Sequence, residues 1–130
     1  MFRVRKAIEE LGFFKATLYE NGIIHISWDK EINMIETKHL AKMQEVVCKL
    51  GDGEKMPLYF TTHAFLQVSE EAQSYATSQE GTRYSKAIAV LVEDLATKID
   101  YNIFLKKNTP VVPTQAFGSM EEAFEWLITF

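Results

Sequence analysis

Strands alternating with helices behind an opening hairpin predict an α/β fold. The expected form is an N-terminal β-hairpin followed by β-α units, with a mixed, mostly parallel sheet of about five strands and four helices. Three observations carry this. Phe14 to Tyr19 alternates apolar and polar with period two, and Asn21-Gly22 returns it into Ile23 to Trp28. Lys86 to Val92 is a continuous apolar run, the mark of a strand covered on both faces. Each later strand is followed by a segment of helical spacing with its own start signal.

Taken in order, Arg3 to Gly12 is open between two readings. Ala7, Ile8 and Leu11 have helical spacing, yet so short a segment is equally compatible with an extended chain. In the returning strand Ile24, Ile26 and Trp28 share one face, with His25 opposite. Asn21-Gly22 tolerates the positive φ angles of a type I′ turn. After a polar connection, a helix begins between Asn33 and Thr37, either of which is a competent cap. Leu40, Met43, Val47 and Leu50 form its buried stripe, with Cys48 beside it, and Gly51 and Gly53 end it.

Pro57 to Thr61 reads as a buried strand and Thr62 to Val68 as a turn. Ser69 then caps a helix, with Glu70 and Glu71 facing the positive end of its dipole. Val68, Ala72, Tyr75 and Ala76 are its apolar stripe, and Gly81 breaks the polar stretch after it. Beyond the 86–92 strand, Glu93 or Asp94 starts a helix whose expected buried face is Leu95, Ala96, Ile99, Ile103 and Phe104. Lys106 and Lys107 suit its negative end, Asn108 takes a left-handed cap, and Pro110 prevents continuation. Val111 to Phe117 is a last strand, at a sheet edge or starting near Pro113, which lacks a ladder donor. Ser119-Met120-Glu121-Glu122 is a capping box for the final helix.

The 130 residues carry 47% hydrophobic and 25% charged side chains, as an ordinary globular protein does, and are read as one domain, 1–130. A formal net charge of −4 argues against a nucleic-acid partner. The lone cysteine, Cys48, cannot close an internal disulfide, which fits a reducing compartment. No apolar run follows the basic N-terminus, so no signal peptide is read, and no window approaches the ~20 apolar residues of a membrane span. The expectation is a cytoplasmic protein.

Several stretches resemble a known family. They are the hairpin core Leu18-Tyr19-Glu20-Asn21-Gly22-Ile23-Ile24, the strand Leu58-Tyr59-Phe60 feeding Val68-Ser69-Glu70-Glu71-Ala72, and the strand Ala87-Ile88-Ala89-Val90-Leu91. Asn102-Ile103-Phe104-Leu105 and the closing Glu121-Glu122-Ala123-Phe124-Glu125-Trp126-Leu127 complete the set. Together they are similar to small bacterial STAS-like or SpoIIAA-like (anti-sigma-factor-antagonist-like) proteins, sometimes grouped with the Sec14-type lipid-binding fold. In STAS regulators an Asp-Ser pair precedes the second helix, and phosphorylation of that serine controls partner docking. Here the stretch reads Gln67-Val68-Ser69. The aspartate is missing, and Glu70 and Glu71 would repel a phosphate. Ser69 is therefore read mainly as a structural cap.

No catalytic cluster stands out. His25, His39 and His63 have no ligand neighbours at metal-binding spacing, so no metal and no cofactor are expected. Cys48 sits beside a buried stripe, where cysteine acts as a small hydrophobe. The acidic pairs Glu70/Glu71, Glu93/Asp94 and Glu121/Glu122 each fall at a helix start, where the dipole explains them. Tyr59, Tyr75, Tyr84, Phe65 and Leu66 are candidates for a pocket lining, and Phe65 and Leu66 in a turn favour a protein or lipid partner if exposed.

The expected role is thus a non-enzymatic regulatory or protein-interaction module of STAS-like type, the alternative being a binder or carrier of a small apolar ligand. The expected binding face is Thr61, Thr62, His63, Phe65, Leu66 and Ser69, with Glu93 and Asp94 at the next strand's end. A protein partner is expected, with a homodimer through an exposed edge strand or apolar helix face, or a small apolar ligand, as further options.

Overall fold

Eight strands and four helices follow one another along the chain in a computed structural model that describes residues 2–62 and 66–130. They are β1 (Val4–Glu10), β2 (Phe14–Tyr19), β3 (Ile24–Trp28), β4 (Met34–Ile35), α1 (Thr37–Leu50), β5 (Met56–Thr61), β6 (Gln67–Val68), α2 (Glu70–Thr77), β7 (Ser85–Leu91), α3 (Leu95–Lys107), β8 (Thr114–Phe117) and α4 (Met120–Leu127). The main sheet has the order β1-β2-β3-β5-β7-β8. Its first three strands pair antiparallel and the rest parallel, so the sheet is mixed as expected.

The segment before Gly12 is extended, not helical. β1 adds a sixth strand at the sheet edge, with only Ile8 and Glu10 half-buried. The turn after β2 also differs from expectation. Gly22 has φ +90°, but Asn21 is not in the left-handed region, so this is not a type I′ turn. Gly22 N donates to the Tyr19 carbonyl (3.0 Å) and Tyr19 N to the Ile23 carbonyl (2.9 Å). That is the three-residue loop with a left-handed glycine closing it. Asn21 contributes instead through its side-chain oxygen, which accepts from Ile23 N at 3.1 Å.

Side-chain alternation sorts the sheet into two faces. Phe14, Ala16, Leu18, Ile24, Ile26, Trp28, Leu58 and Ile88 join Leu40, Met43, Val47 and Leu50 of α1 and Ala72 of α2 in one core. On the other face Ile23, Tyr59, Ala87 and Ala89 meet Ala123, Phe124 and Leu127 of α4. The β7 run Ala87 to Val90 therefore feeds both cores, which is why it lacks alternation.

Caps fall near their expected places. Ser69 Oγ accepts from Ala72 N (3.1 Å), Asp94 Oδ1 from Thr97 N (2.8 Å) and Ser119 Oγ from Glu122 N (3.2 Å). At α1 the cap is Glu36, neither Asn33 nor Thr37; its own N–H donates to His39 Nδ1 at 2.9 Å. Past α1 the left-handed residues are Asp52 and Gly53, while Gly51 has φ −96°. Asn108 is not left-handed either, at φ −125°.

Helix α3 overturns most of one expectation. Leu95 (73%), Ile99 (50%) and Ile103 (59%) are exposed, and no residue of the helix is fully buried. Apolar residues occur almost all the way round α3, so spacing alone could not choose its inner face. Ala96 is exposed as well, and of the expected face only Phe104 turns inward, joined there by Tyr101 and Leu105.

Candidate functional site

The end of the expected turn is a short strand. Gln67–Val68 of β6 pairs parallel with Met34–Ile35 of β4, beside the main sheet. Gln67 N donates to the Asn33 carbonyl (2.9 Å) and Ser69 N to the Ile35 carbonyl (3.0 Å). This ladder ties the start of α2 to the start of α1 and holds both helices over one sheet face.

α3 covers the rest of that face without closing on it. Between them lies a cavity of about 330 Å3. Its floor is Trp28, Phe60, Ile88, Val90 and Thr114 of the sheet. Leu40 of α1, Gln73, Ala76 and Thr77 of α2, and Leu66 and Val68 ahead of α2 form one side. Thr97, Asp100, Tyr101, Phe104 and Leu105 of α3 form the roof. A site this size, mostly apolar with a few convergent polar groups, has the character of small-molecule pockets.

The roof is held at both ends. Asn108 Nδ2 donates to Gln73 Oε1 (3.2 Å), and Gln73 Nε2 donates to the Val68 carbonyl (2.9 Å). Lys107 Nζ lies 3.8 Å from Glu70 Oε1, both exposed. Val92 N donates to the Phe117 carbonyl at 2.8 Å, just before α3 begins. Burial holds the Tyr101 hydroxyl well above its usual range, so it enters the cavity as a neutral donor. Among the described lining residues Asp100 is the only charged one.

The expected binding face is split by the sheet. Thr62 and Leu66 line the cavity, and Leu66 packs on the core. Thr61 points the other way, where its Oγ1 bonds His25 Nε2 at 2.8 Å. The His25 ring rests against Tyr59 at 5.0 Å. Tyr59's hydroxyl is pushed up to about 12, by burial first and by the charges of Glu93 and Tyr19 after it. Ser69 is occupied as a cap and Asp94 likewise, its carboxyl held below the ordinary range by the Thr97 amide and hydroxyl. Glu93 is exposed. His63 and Phe65 lie outside the described residues. Tyr75 and Tyr84 pack against the core at the back and Tyr59 on the far face, so of the aromatics singled out as lining candidates none of these three lines the cavity. The residues that sequence reasoning missed are Tyr101 and Leu105, while Phe104 was read as buried but not as part of a site, and the available signal was the surplus of apolar residues round α3.

Burial also pushes two histidines down. His25 is lowered by desolvation and then by Lys15, and His39 by desolvation and then by Lys38. Below about pH 6.5 the unfolded chain takes up protons on both before the folded chain does. Stability should therefore fall as pH drops from about 7.5 to 5.5. A His25→Gln, His39→Gln double variant should show a flatter dependence of Tm on pH over that window; an unchanged slope would assign it to other groups.

Among the described residues, no group of His, Cys, Asp and Glu is arranged to hold a metal ion, and no helix is long and apolar enough to cross a membrane.

A mixed sheet with helices on both faces, entered through an antiparallel meander and completed by parallel β-α units, is the arrangement of a SpoIIAA-like α/β fold. The chain belongs to the family described as a domain of unknown function (DUF7793), which matches residues 17–130. Its structure is similar to that of an uncharacterised protein of the DUF3478 family with a SpoIIAA-like fold from Shewanella loihica PV-4. The TM-score is 0.50 at 8% identity, covering 98% of this chain and 95% of that one. A protein of unknown function from Arthrobacter sp. FB24 shares 22% identity over 88% of this chain and 99% of its own, with a TM-score of 0.31. None of the curated proteins compared with the chain matches it.

Proposed function

We propose that the protein binds a small apolar ligand in the cavity under α3. The observation that carries this is the roughly 330 Å3 space between Phe60, Val90 and Trp28 below and Tyr101, Phe104 and Leu105 above. A half-open cleft of this size, lined mainly by aromatic and aliphatic groups with a few polar ones, suits a small apolar molecule. With Asp100 as the only charged group on the described lining, a neutral molecule is favoured over a carboxylate.

Native mass spectrometry and solvent extraction of the purified protein test for retained ligand. A neutral dye such as Nile red tests the empty site. Dodecanol should displace the dye and dodecanoate should compete poorly. Ala76→Phe, which projects a ring from α2 into the cavity, should weaken dye binding about tenfold or more with the fold retained. Undiminished binding by that variant, in a protein that is folded, would remove the site.

A second reading, a protein-interaction module of STAS-like type, draws support from the exposed stripe Leu95, Ile99 and Ile103 on the outer side of α3. Ligand retention separates the two, because an interaction module with an empty cavity would extract nothing, and dye held on its outer stripe would be insensitive to Ala76→Phe.

A further inference from the structure

The outer edge of β1 carries an interaction pattern of its own. Strand β1 ends the sheet, and no described strand pairs with its far side. Its sequence sorts charge by end: Arg5 and Lys6 come first, just after Arg3, and Glu9 and Glu10 last. Charges, proline and bulges blunt edge strands against indiscriminate pairing; β1 has no proline, and its charges are of both signs, so they repel most partners but can be matched by a complementary strand.

The ladder decides which main-chain groups are free. Glu10 pairs with Phe14, Ile8 with Ala16 and Lys6 with Leu18, and the Glu10 carbonyl accepts from Phe13 N at 2.9 Å. On the other side of β2, the Phe13 carbonyl accepts from Asp29 N at 2.8 Å, which sets odd residues there toward β3 and even ones toward β1. Lys6, Ile8 and Glu10 therefore spend their amides and carbonyls on β2. Ala7 and Glu9 direct theirs outward.

We propose that this edge is a self-association site, where β1 pairs antiparallel with β1 of a second copy about a two-fold axis at Ile8. In that register Ala7 of each copy lies opposite Glu9 of the other, so the four outward groups of each edge find partners. Ile8 meets Ile8 at the axis. Lys6 lies opposite Glu10 of the second copy, twice by symmetry, on the side-chain face shared with α1. The irregularity in register between Val4 and Lys6 falls outside this paired stretch. The exposed Val4 (56%) and Leu11 (86%) lie at opposite ends of β1, and the antiparallel arrangement brings each to the other copy's opposite end. A charge gradient that reverses along one strand complements itself only in this antiparallel sense, which selects a second copy of this chain as the occupant. The short contact makes the dimer a weak, concentration-dependent one.

Sedimentation equilibrium of the full chain from about 10 μM to about 1 mM tests this, since affinities of that order fall inside the range. The weight-average mass of the wild type should rise from monomer toward dimer. Lys6→Glu and Glu10→Lys, each alone, place like charges opposite one another and should stay monomeric. An equimolar mixture of the two should recover the dimer, because both contacts then pair opposite charges. Ala7→Pro removes an outward donor that β2 does not use and should also abolish association; circular dichroism checks that it is folded, and if it is not, the charge mixture decides. A wild type monomeric throughout, or a dimer that the charge variants and their mixture leave unchanged, would overturn the proposal.

Discussion

Phe124→Ala should lower stability by about 3–5 kcal/mol, and Tm by roughly 10–20 °C. Phe124 is 2% exposed at the centre of α4. Its ring lies 4.5 Å from Phe2, 5.3 Å from Tyr59 and 5.7 Å from Tyr19, the last two edge-on. Beneath it β7 presents Ala87 and Ala89, both at 0% exposure. Those small residues are what let a phenylalanine sit close to the sheet, and they are also why nothing can fill the hole when it goes. A partly collapsing site costs less than a rigid one, and a β-strand floor of alanines gives little room for collapse. Phe124→Leu should cost far less, since it keeps most of the volume. Chemical denaturation of the two variants beside wild type measures both. A loss below about 1 kcal/mol for the alanine variant would mean that α4 is not the cover of this face. The cavity lies across the sheet, so below its lowered Tm the same variant should keep wild-type affinity for Nile red. That separates damage to the fold from damage to the site.

The elements were legible where a single physical constraint acted on a segment. Period-two alternation named β2 and β3, because only one face of each is fully buried in the core. The unbroken run at β7 was legible for the opposite reason, being claimed by two cores. Ser69, Asp94 and Ser119 announced their helices because capping is a local bond. β1 was not legible, since an edge strand with one half-covered face needs little apolar patterning. Nor was β6, whose two residues pair only because β4 lies beside them in space. Apart from Phe104, the inner face of α3 stayed hidden because its apolar residues exceed what one face needs. The same surplus supplies both the cavity roof and the exposed outer stripe. Of the site, Thr62 and Leu66 were found through their place after β5, while Thr61 was assigned to the same face although alternation puts it on the other.

Gly81→Ala should be nearly as damaging as loss of Phe124, costing roughly 2–4 kcal/mol from a single added methyl. A Cβ at Gly81 would overlap the main-chain carbonyl of Tyr75 and press its ring Cδ2 at 3.1 Å. That carbonyl cannot retreat freely, because it already accepts from Ser78 N (3.1 Å) and Ser78 Oγ (2.6 Å) at the end of α2. The loop is tied down in turn by Gly81 N to Ser78 Oγ (3.0 Å) and by Thr82 Oγ1 to the Ser78 carbonyl (2.6 Å). Gly118 is the control. Nothing lies within 4 Å of a Cβ there and its φ is not in the left-handed region, so Gly118→Ala should be neutral or slightly stabilising. The two variants make the same chemical change and differ only in what the methyl meets. The Gly81 effect also reaches the cavity, since relief of the overlap must displace the last turn of α2. Ala76 and Thr77 of that turn line one side of the cavity. Where Gly81→Ala still folds, its affinity for Nile red should therefore fall along with its stability, whereas Phe124→Ala should lose stability alone. Equal retention of dye binding by both would mean that the last turn of α2 does not set the shape of the site.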